Sequence, residues 1–369
     1  MIRVTTNGTL YNYKSNFNQT ANQLNSAMMK LMTGRNFDSY SANPAGATRA
    51  FQIHSSINAT NAQYDNNQTV LSKFETAWSS IQGVLDGFDG LATDSRLSAL
   101  SGLNDTNLST LNTQGQIIRE SAEGIIQSLN AKYGDDFMFA GADTQNAPFS
   151  ITTGADGRSY VTYRGIQIDN PATINAQCDL RNEDGTLKYP NMTNKEVLDM
   201  WNEEHQYVDI GLGFELDNNG DVIPSTAFDS AISGLELTGY GVDGDGDPLN
   251  LVSTMLRLAD IFEGYNEESG EWGAAGDRED AERLLKKMDA SREAMGDQWV
   301  ALDTEAKFLN NNKTQLEDTF DALNVELTNL EDVDTADAIL ELSWAQVCYN
   351  AALQVGANVI PQSLMDYLQ

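Results

Sequence analysis

The chain is poor in cysteine and histidine, and each shortage excludes a class of protein. Among 369 residues there are two cysteines, Cys178 and Cys348, and two histidines. Two cysteines so far apart exclude a disulfide framework and a cysteine-based metal site within the chain. No H-E-x-x-H, P-loop or G-x-S-x-G motif occurs, and no other catalytic constellation is recognisable. We therefore expect no cofactor and no enzymatic activity.

Long apolar runs and positive charge are also scarce. No run of about 18 apolar residues occurs, so no membrane insertion is expected. The polar start of the chain does not resemble a cleaved signal peptide. A net charge of −32 argues against nucleic acid as a partner. Residues 1–60 carry a net +4 and residues 150–280 a net −19, which indicates a terminus that packs and a middle that faces solvent.

What the sequence does contain is apolar residues spaced by seven near the N-terminus. They are Leu10, Phe17, Leu24 and Leu31, with Ala21 and Met28 in companion positions. Such a narrow stripe is typical of a coiled-coil seam and predicts a helix that needs a partner. A second stripe near the C-terminus comprises Leu340, Trp344, Val347 and Ala351. We expect the two stripes to pack on each other as an inner core; the alternative is an ordinary intramolecular bundle core.

Helical spacing also covers much of the remaining chain. It predicts helices over about 45–90, about 104–134 and, for some fifty residues, from about 279, with a short helix at 193–204. Asp334 is a candidate N-cap for the last helix. Residues 159–168 alternate and read as a strand, while Gly- and Asp-rich turns follow. Residues 263–280 read as an exposed linker.

These patterns predict a mixed, mainly α fold with a central β-rich inserted domain. Long coiled-coil-like helices from both chain ends are expected to pack together. The expected division has three parts. These are terminal inner-core helices (1–42 plus 332–369), a helical bundle layer (43–150 plus 276–331) and a β-rich outer insert (151–275).

One acidic loop raises the question of a calcium site. Asp243, Asp245 and Asp247 match positions 1, 3 and 5 of an EF-hand loop. However, Pro248 stands where glycine is needed and Thr254 where glutamate is needed. A turn between strands is therefore the favoured interpretation, and no metal site is expected.

Four segments together resemble one protein family. They are the opening MIRVTTNGTLYNY, LMTGRNF…SANPAGA with Gly34, Arg35, Asn43 and Pro44, the C-terminal stretch from residue 336, and FMFAGADTQNAPF with Phe137, Phe139, Ala140, Gly141, Pro148 and Phe149. This combination resembles the flagellins and hook-associated proteins of bacterial flagella. The segment 137–149 resembles the hook–filament junction members. Ser41-Ala42-Asn43 departs from the family by replacing an acidic pair before the proline.

The resemblance implies a structural, extracellular role in motility. Such proteins are exported unfolded through the flagellar type III apparatus, without a cleaved signal peptide. A chaperone shields the C-terminal helix, and copies assemble as a ring between the other hook-associated junction protein and the flagellin filament. Two alternatives stay open: a flagellin filament subunit, and a calcium-dependent surface-binding or adhesin module.

Overall fold

The fold is mainly helical, with small sheets in the middle of the chain. The computed structural model describes residues 6–37, 41, 43–85, 90–104, 108, 110–182, 184–274 and 276–359. In chain order the helices are α1 (Thr6–Thr33), α2 (Pro44–Leu85), α3 (Leu91–Asn104), α4 (Leu111–Leu129), α5 (Asn194–Asn202), α6 (Gly234–Thr238), α7 (Leu251–Glu263), α8 (Asp277–Glu331) and α9 (Thr335–Val359). A 3-10 turn lies at Pro224–Thr226. The mixed, mainly α class predicted from the sequence is confirmed.

The strands are short and pair antiparallel. They are β1 (Lys132–Tyr133) with β2 (Asp136–Phe137), β3 (Phe149–Thr153) with β4 (Ser159–Tyr163) and β5 (Ile166–Gln167), and β6 (Tyr207–Val208) with β7 (Phe228–Asp229). The single strand predicted at 159–168 is wrong, because β4 and β5 form a hairpin. Its turn uses Arg164 and Gly165, both at positive φ (46° and 88°), a conformation that suits a two-residue hairpin.

Two compact units divide the chain. The first comprises Met1–Ala62 with Leu316–Gln369, and the second comprises Gln63–Gln315. The boundaries therefore fall within α2 and α8. The three-part division stated above stays a prediction. Residues 1–5 and 360–369, which it includes, lie outside the described residues.

Several helix predictions need correction. The helix expected at 104–134 is shorter, spanning α4, and Lys132 lies in β1. The helix expected to about 90 ends at Leu85, and residues 86–89 lie outside the described residues. Helix α3 was missed because the residues it buries are small: Ala92, Ser95, Ala99 and Gly102. Helix α7 was missed although it is amphipathic: its apolar residues are buried, while Arg257, Asp260 and Glu263 lie three residues apart on its less buried side.

Small residues also bring α4 close to its neighbours. Residue Gly115 faces α7, where a Cβ would stand 3.0 Å from the Cβ of Phe262. Gly102 on α3 would likewise meet a ring carbon of Phe262 at 3.0 Å. Helix α4 thus packs between α3 and α7, and its Leu111, Ile118, Ala122, Ile125 and Leu129 are fully buried.

The long helix α8 carries the heptad predicted for it. Within the second unit, Met288, Met295, Leu302 and Leu309 are buried at intervals of seven. Trp299 stacks on Trp78 of α2 with ring centroids 5.2 Å apart and donates its indole N–H to the Trp78 carbonyl at 3.1 Å. The seven-residue period is the signature of a left-handed coiled-coil seam.

Replacing Phe139 tests the core of the second unit. The side chain is completely buried, so Phe139→Ala should lower the free energy of unfolding by about 3–5 kcal/mol. Phe214→Ala is the control, because Phe214 is 41% exposed and should cost less than about 1 kcal/mol. Urea unfolding followed by tryptophan fluorescence measures both, since Trp78, Trp201, Trp272 and Trp299 all belong to this unit. Equal losses in the two variants would contradict the core assignment.

Candidate assembly interface

Helices α1 and α9 pack against each other along their length in the first unit. The rings of Phe17 and Tyr349 lie 5.4 Å apart, and the Tyr13 hydroxyl donates to the Ala352 carbonyl at 3.0 Å. Near the other end, Lys30 forms an ion pair with Glu341 at 3.0 Å. The prediction that helices from both chain ends pack together is confirmed.

The side of α9 that meets α1 is not the predicted stripe. Leu340, Trp344 and Val347 are 58%, 70% and 60% exposed, and Ala351 is also exposed. The pairing face instead follows the same 3-4 rhythm two residues earlier: Ala338, Leu342, Ala345, Tyr349, Ala352 and Gly356. It was missed because its members are mostly small. Small residues allow close approach, and a Cβ on Gly356 would meet the Tyr13 hydroxyl at 2.0 Å.

On α1 the residues of the predicted stripe are partly buried. Leu10, Phe17, Leu24 and Leu31 are partly buried, as is Ala21, but the companion row contains Tyr13, Thr20 and the buried Ala27. Met28, predicted to pack, is 50% exposed. On α1 one residue expected to pack, Met28, is exposed, whereas on α9 the whole predicted stripe points away from α1.

The paired helices therefore leave large apolar side chains uncovered. We call Leu340, Trp344, Val347, Ala351 and Val355 the outer stripe of α9. Helix α1 exposes Tyr11, Met29 and Met32 by 75%, 45% and 71%. A run of apolar side chains in solvent marks an interaction surface rather than a finished core.

The connection between α1 and α2 is built from the residues of the LMTGRNF…SANPAGA segment. Gly34 ends α1 at φ 69°, a conformation that favours glycine. Arg35 forms an isolated β-bridge with Asp332, next to the start of α9. The Asn43 side chain accepts from the amide of Gly46 at 3.0 Å, which caps α2 just before Pro44. Asparagine alone thus supplies the cap, while Ala42 lies outside the described residues.

Asp334 similarly caps α9, as predicted. Its Oδ1 accepts from the amide of Ala336 at 2.8 Å.

The segment 137–149 makes a buried turn in the second unit. Gly134 and Gly141 have φ of 63° and 65°, as turns at these two points require. Phe139, Ala140, Pro148 and Phe149 are buried, while Phe137 is partly buried beneath the Lys132 ammonium. Asn130, directly after α4, accepts from the Phe149 amide at 3.0 Å and donates to its carbonyl at 2.8 Å.

Arg164, which was not singled out from the sequence, has a largely buried side chain that holds this turn in position. Arg164 donates to the Ala140 carbonyl and pairs with Glu204 at 2.8 Å. Its guanidinium lies 5.2 Å from the Trp201 ring centroid. Burial makes such a charge-assisted contact worth more than a surface ion pair. The positive φ of Arg164 gave no signal in the sequence.

The acidic loop 243–247 is neutralised by the protein itself. The oxygens of Asp243, Asp245 and Asp247 lie within 4.8 Å of one another, close enough to hold a cation. The Lys287 ammonium contacts all three carboxylates, at 2.8 Å for Asp245 and 3.0 Å for Asp247. Its hydrogen bond to Asp243 lowers the pKa of that carboxyl. The Lys287 ammonium thus occupies the position between the three carboxylates where a metal ion would bind.

Asp247, fully buried, receives two further cations. Arg283 contacts it at 2.7 Å and Arg257 at 3.0 Å. The loop is thereby joined to both α7 and α8, so its charges stabilise packing within the second unit.

A different carboxyl group, Asp169, is buried without such pairing. It is 5% exposed, and burial raises its pKa to about 7, although Ser253 and the Arg257 charge oppose the shift. The folded state therefore binds a proton at Asp169 more tightly than the unfolded chain does. Its contribution to stability is greatest below the unfolded pKa near 3.8, and it is lost as pH rises to about 7.

The variant Asp169→Asn should remove this contribution to the pH dependence. Relative to the original chain, the variant should become more stable by on the order of 2 kcal/mol at pH 8, and the gain should shrink towards pH 5. Urea unfolding at both pH values, taken as the difference between the two proteins, isolates the group. A difference that stays constant with pH would contradict the prediction.

Replacing Gly356 tests the pairing face. Gly356→Val places a methyl group against Tyr13 and should loosen α9, although valine has the better helix propensity. Amide hydrogen exchange over residues 335–357 should accelerate by about tenfold or more, which corresponds to about 1.4 kcal/mol. Ala351→Val, on the exposed outer stripe of the same helix, should leave exchange almost unchanged. Similar rates in both variants would contradict the assignment.

Comparison with known proteins places this architecture in a family. The model of the bacterial flagellin N-terminal helical region matches residues 4–144, and that of the flagellin C-terminal helical region matches residues 281–368. No curated protein matches in sequence. No helix in the described part of the chain is long and apolar enough to cross a membrane.

Solved structures of flagellar proteins align with this chain at low sequence identity. A putative flagellar hook-associated protein from Vibrio parahaemolyticus aligns with a TM-score of 0.53 and 12% identity, over 79% of this chain and 100% of that one. FlgL of Bacillus cereus (TM-score 0.42, 15% identity) covers 75% of this chain and 99% of its own. Flagellar hook-associated protein-3 of Legionella pneumophila (0.46, 14%) covers 76% and 98%. With both of its helical ends matched, the chain belongs to the bacterial flagellin family.

Proposed function

We propose that the chain is a structural subunit of the bacterial flagellum that joins hook to filament. The observation that carries the proposal is the outer stripe of α9, which leaves Trp344 70% exposed on a helix pair typical of the flagellin family. The subunit works by packing, adapting two helical lattices to each other, and it has no catalytic role.

The uncovered apolar surface is what assembly requires. In a chain that packs α1 on α9 through small residues, the outer stripe and the exposed methionines of α1 are free to bury against other subunits. A contact between two different faces of identical subunits, repeated by rotation, generates a ring or a helical tube. We propose that the partners are copies of this chain in a ring and, as the family resemblance implies, the other hook-associated junction protein and flagellin.

Charge supports an orientation for such an assembly. The strongly acidic residues 150–280 favour solvent, whereas the net positive residues 1–60 contain α1 and its apolar surface. The terminal helices then form the inner core, and the insert faces outward from an extracellular flagellum. The residues proposed for this inner core comprise the α1 stripe and the outer stripe of α9.

The junction role is favoured over the filament role by two observations. The segment 137–149 resembles the junction proteins, and the fold aligns with a putative hook-associated protein over most of the chain. A filament subunit remains the alternative within the family. For the calcium-dependent module, by contrast, the contacts of Lys287 with all three aspartates leave little room for a cation.

The family resemblance implies a route of export. Before assembly, the outer stripe would be an aggregation liability, and an export chaperone that covers α9 would remove it. We propose that the chain leaves the cell unfolded through the flagellar type III apparatus.

Two charges placed in the outer stripe test the assembly surface. The double variant Trp344→Asp with Val347→Asp should fold but should not join hook to filament. Assembly fails because two carboxylates would be buried at the subunit contact. Electron microscopy of flagella from cells that carry only the variant measures the outcome.

A matched control places the same charges beside the stripe. Gln346→Asp with Asn350→Asp changes exposed polar residues of the same helix and should permit assembly. Circular dichroism checks that both double variants are folded. Normal filaments on the Trp344 and Val347 variant would refute the proposed surface.

A further inference from the structure

A cleft in the second unit has no part in assembly as described above. It has a volume of about 250 Å³ and lies where the β3–β4 turn, the residues after β5 and helix α7 meet. Its polar lining includes Asp156, Arg158, Asp169, Arg257 and Asp260. The cleft is therefore a concave, charged site on the acidic insert.

One part of the lining is a carboxylate that accepts from Ser253 but has one oxygen without a hydrogen-bond donor. Asp169 is 95% buried, and its Oδ1 has no partner in the described structure. Nearby, Asp260 uses one oxygen to accept from Arg119 at 2.6 Å, and its Oδ2 is likewise buried without a donor. A buried polar atom left unpaired is costly, so two such acceptors on residues of one lining favour a ligand that brings N–H donors.

The two arginines of the lining differ in how many hydrogen-bond and ion-pair partners they already have. The Arg257 guanidinium donates to the Gly246 carbonyl at 2.9 Å and pairs with Asp247 at 3.0 Å. Arg158 is exposed, and within the described residues no carboxylate lies within ion-pair distance of its guanidinium. Asp156, two residues away, instead accepts from the Tyr160 hydroxyl at 2.6 Å. Arg158 is thus the cation that remains available to a carboxylate.

Apolar walls limit the size of an occupant. Tyr160, Pro171, Ala172 and Pro248 line the cleft between the charged groups. The Tyr160 hydroxyl is held by Asp156, which fixes the ring. A cleft of about 250 Å³ is smaller than the roughly 300–1,000 Å³ typical of pockets for drug-sized ligands, which favours a small molecule over an oligosaccharide or a long peptide.

We propose that this cleft binds a small zwitterion, a free α-amino acid, with its ammonium group against Asp169 and its carboxylate against Arg158. An amine alone would leave Arg158 without its anion, and an anion alone would add negative charge beside Asp169 and Asp260. A zwitterion satisfies both ends and adds no net charge to a chain that already carries −32. The site is independent of the assembly surface on α9.

Isothermal titration of the full chain at pH 8 with L-alanine tests the proposal. At this pH the Asp169 carboxyl is mostly ionised and the amino acid keeps its ammonium group. Binding should saturate with one molecule per chain. Ethylamine and propanoate, which each lack one charged end of alanine, should bind at least tenfold more weakly. Two results would overturn the proposal. One is the absence of any heat of binding at about 20 mM L-alanine, which is 20 times a millimolar dissociation constant. The other is equally tight binding of ethylamine or propanoate.

Charge-neutral variants locate the site. Asp169→Asn and Arg158→Gln should each weaken L-alanine binding at least tenfold. Asp184→Asn and Arg181→Gln make the same changes in an exposed turn away from the cleft and should leave affinity unchanged. Thermal melting confirms that each variant is folded. Undiminished binding in both cleft variants would show that the amino acid binds elsewhere, and this assignment would be wrong.

Discussion

The close packing of α9 on α1 through small residues is the constraint on which the rest of the first unit depends. The contact is made by small residues, Ala338, Ala345 and Gly356, so the two helices approach closely. The largest apolar side chains of α9 are not part of this contact. Those groups, Trp344 among them, are then left on the outside. One choice of residue size therefore both completes the intramolecular pair and creates the intermolecular surface. A pair closed by leucines would be more stable alone and would have less to offer a neighbour.

The second unit has an apolar core, and its charged loops are fixed to that core by ion pairs. Asp247 gathers Arg257, Arg283 and Lys287, and Arg164 pairs with Glu204 beside the turn at 137–149. Breaking one partner of a buried pair costs more than the pair contributes, so these contacts specify loop positions rather than supply large net stability. Asp169 is the exception, since it is buried beside Ser253 with one oxygen unsatisfied.

The sequence was informative where large apolar residues repeat and less so elsewhere. The spacing of apolar residues predicted both α1 and α8, and Asp334 marked the start of α9 correctly. Helix α3 buries alanine, serine and glycine, so no stripe of large apolar residues marks it, whereas α7 has an amphipathic period that was overlooked. On α9 the large residues were assigned to the wrong side, because periodicity finds a stripe without saying what covers it. The burial of Asp169 and Arg164 arises from tertiary packing and leaves no local pattern.

The hydrogen bond from Tyr13 to Ala352 joins residues 339 positions apart. Helix α1 is made more than 300 residues before its partner is complete. At a synthesis rate of about 5–20 residues per second, α1 waits roughly 20–70 s before α9 exists. A 28-residue helix with few stabilising side-chain pairs is only marginally stable alone in water. Helix α1 therefore becomes stably folded only after α9 has been synthesised.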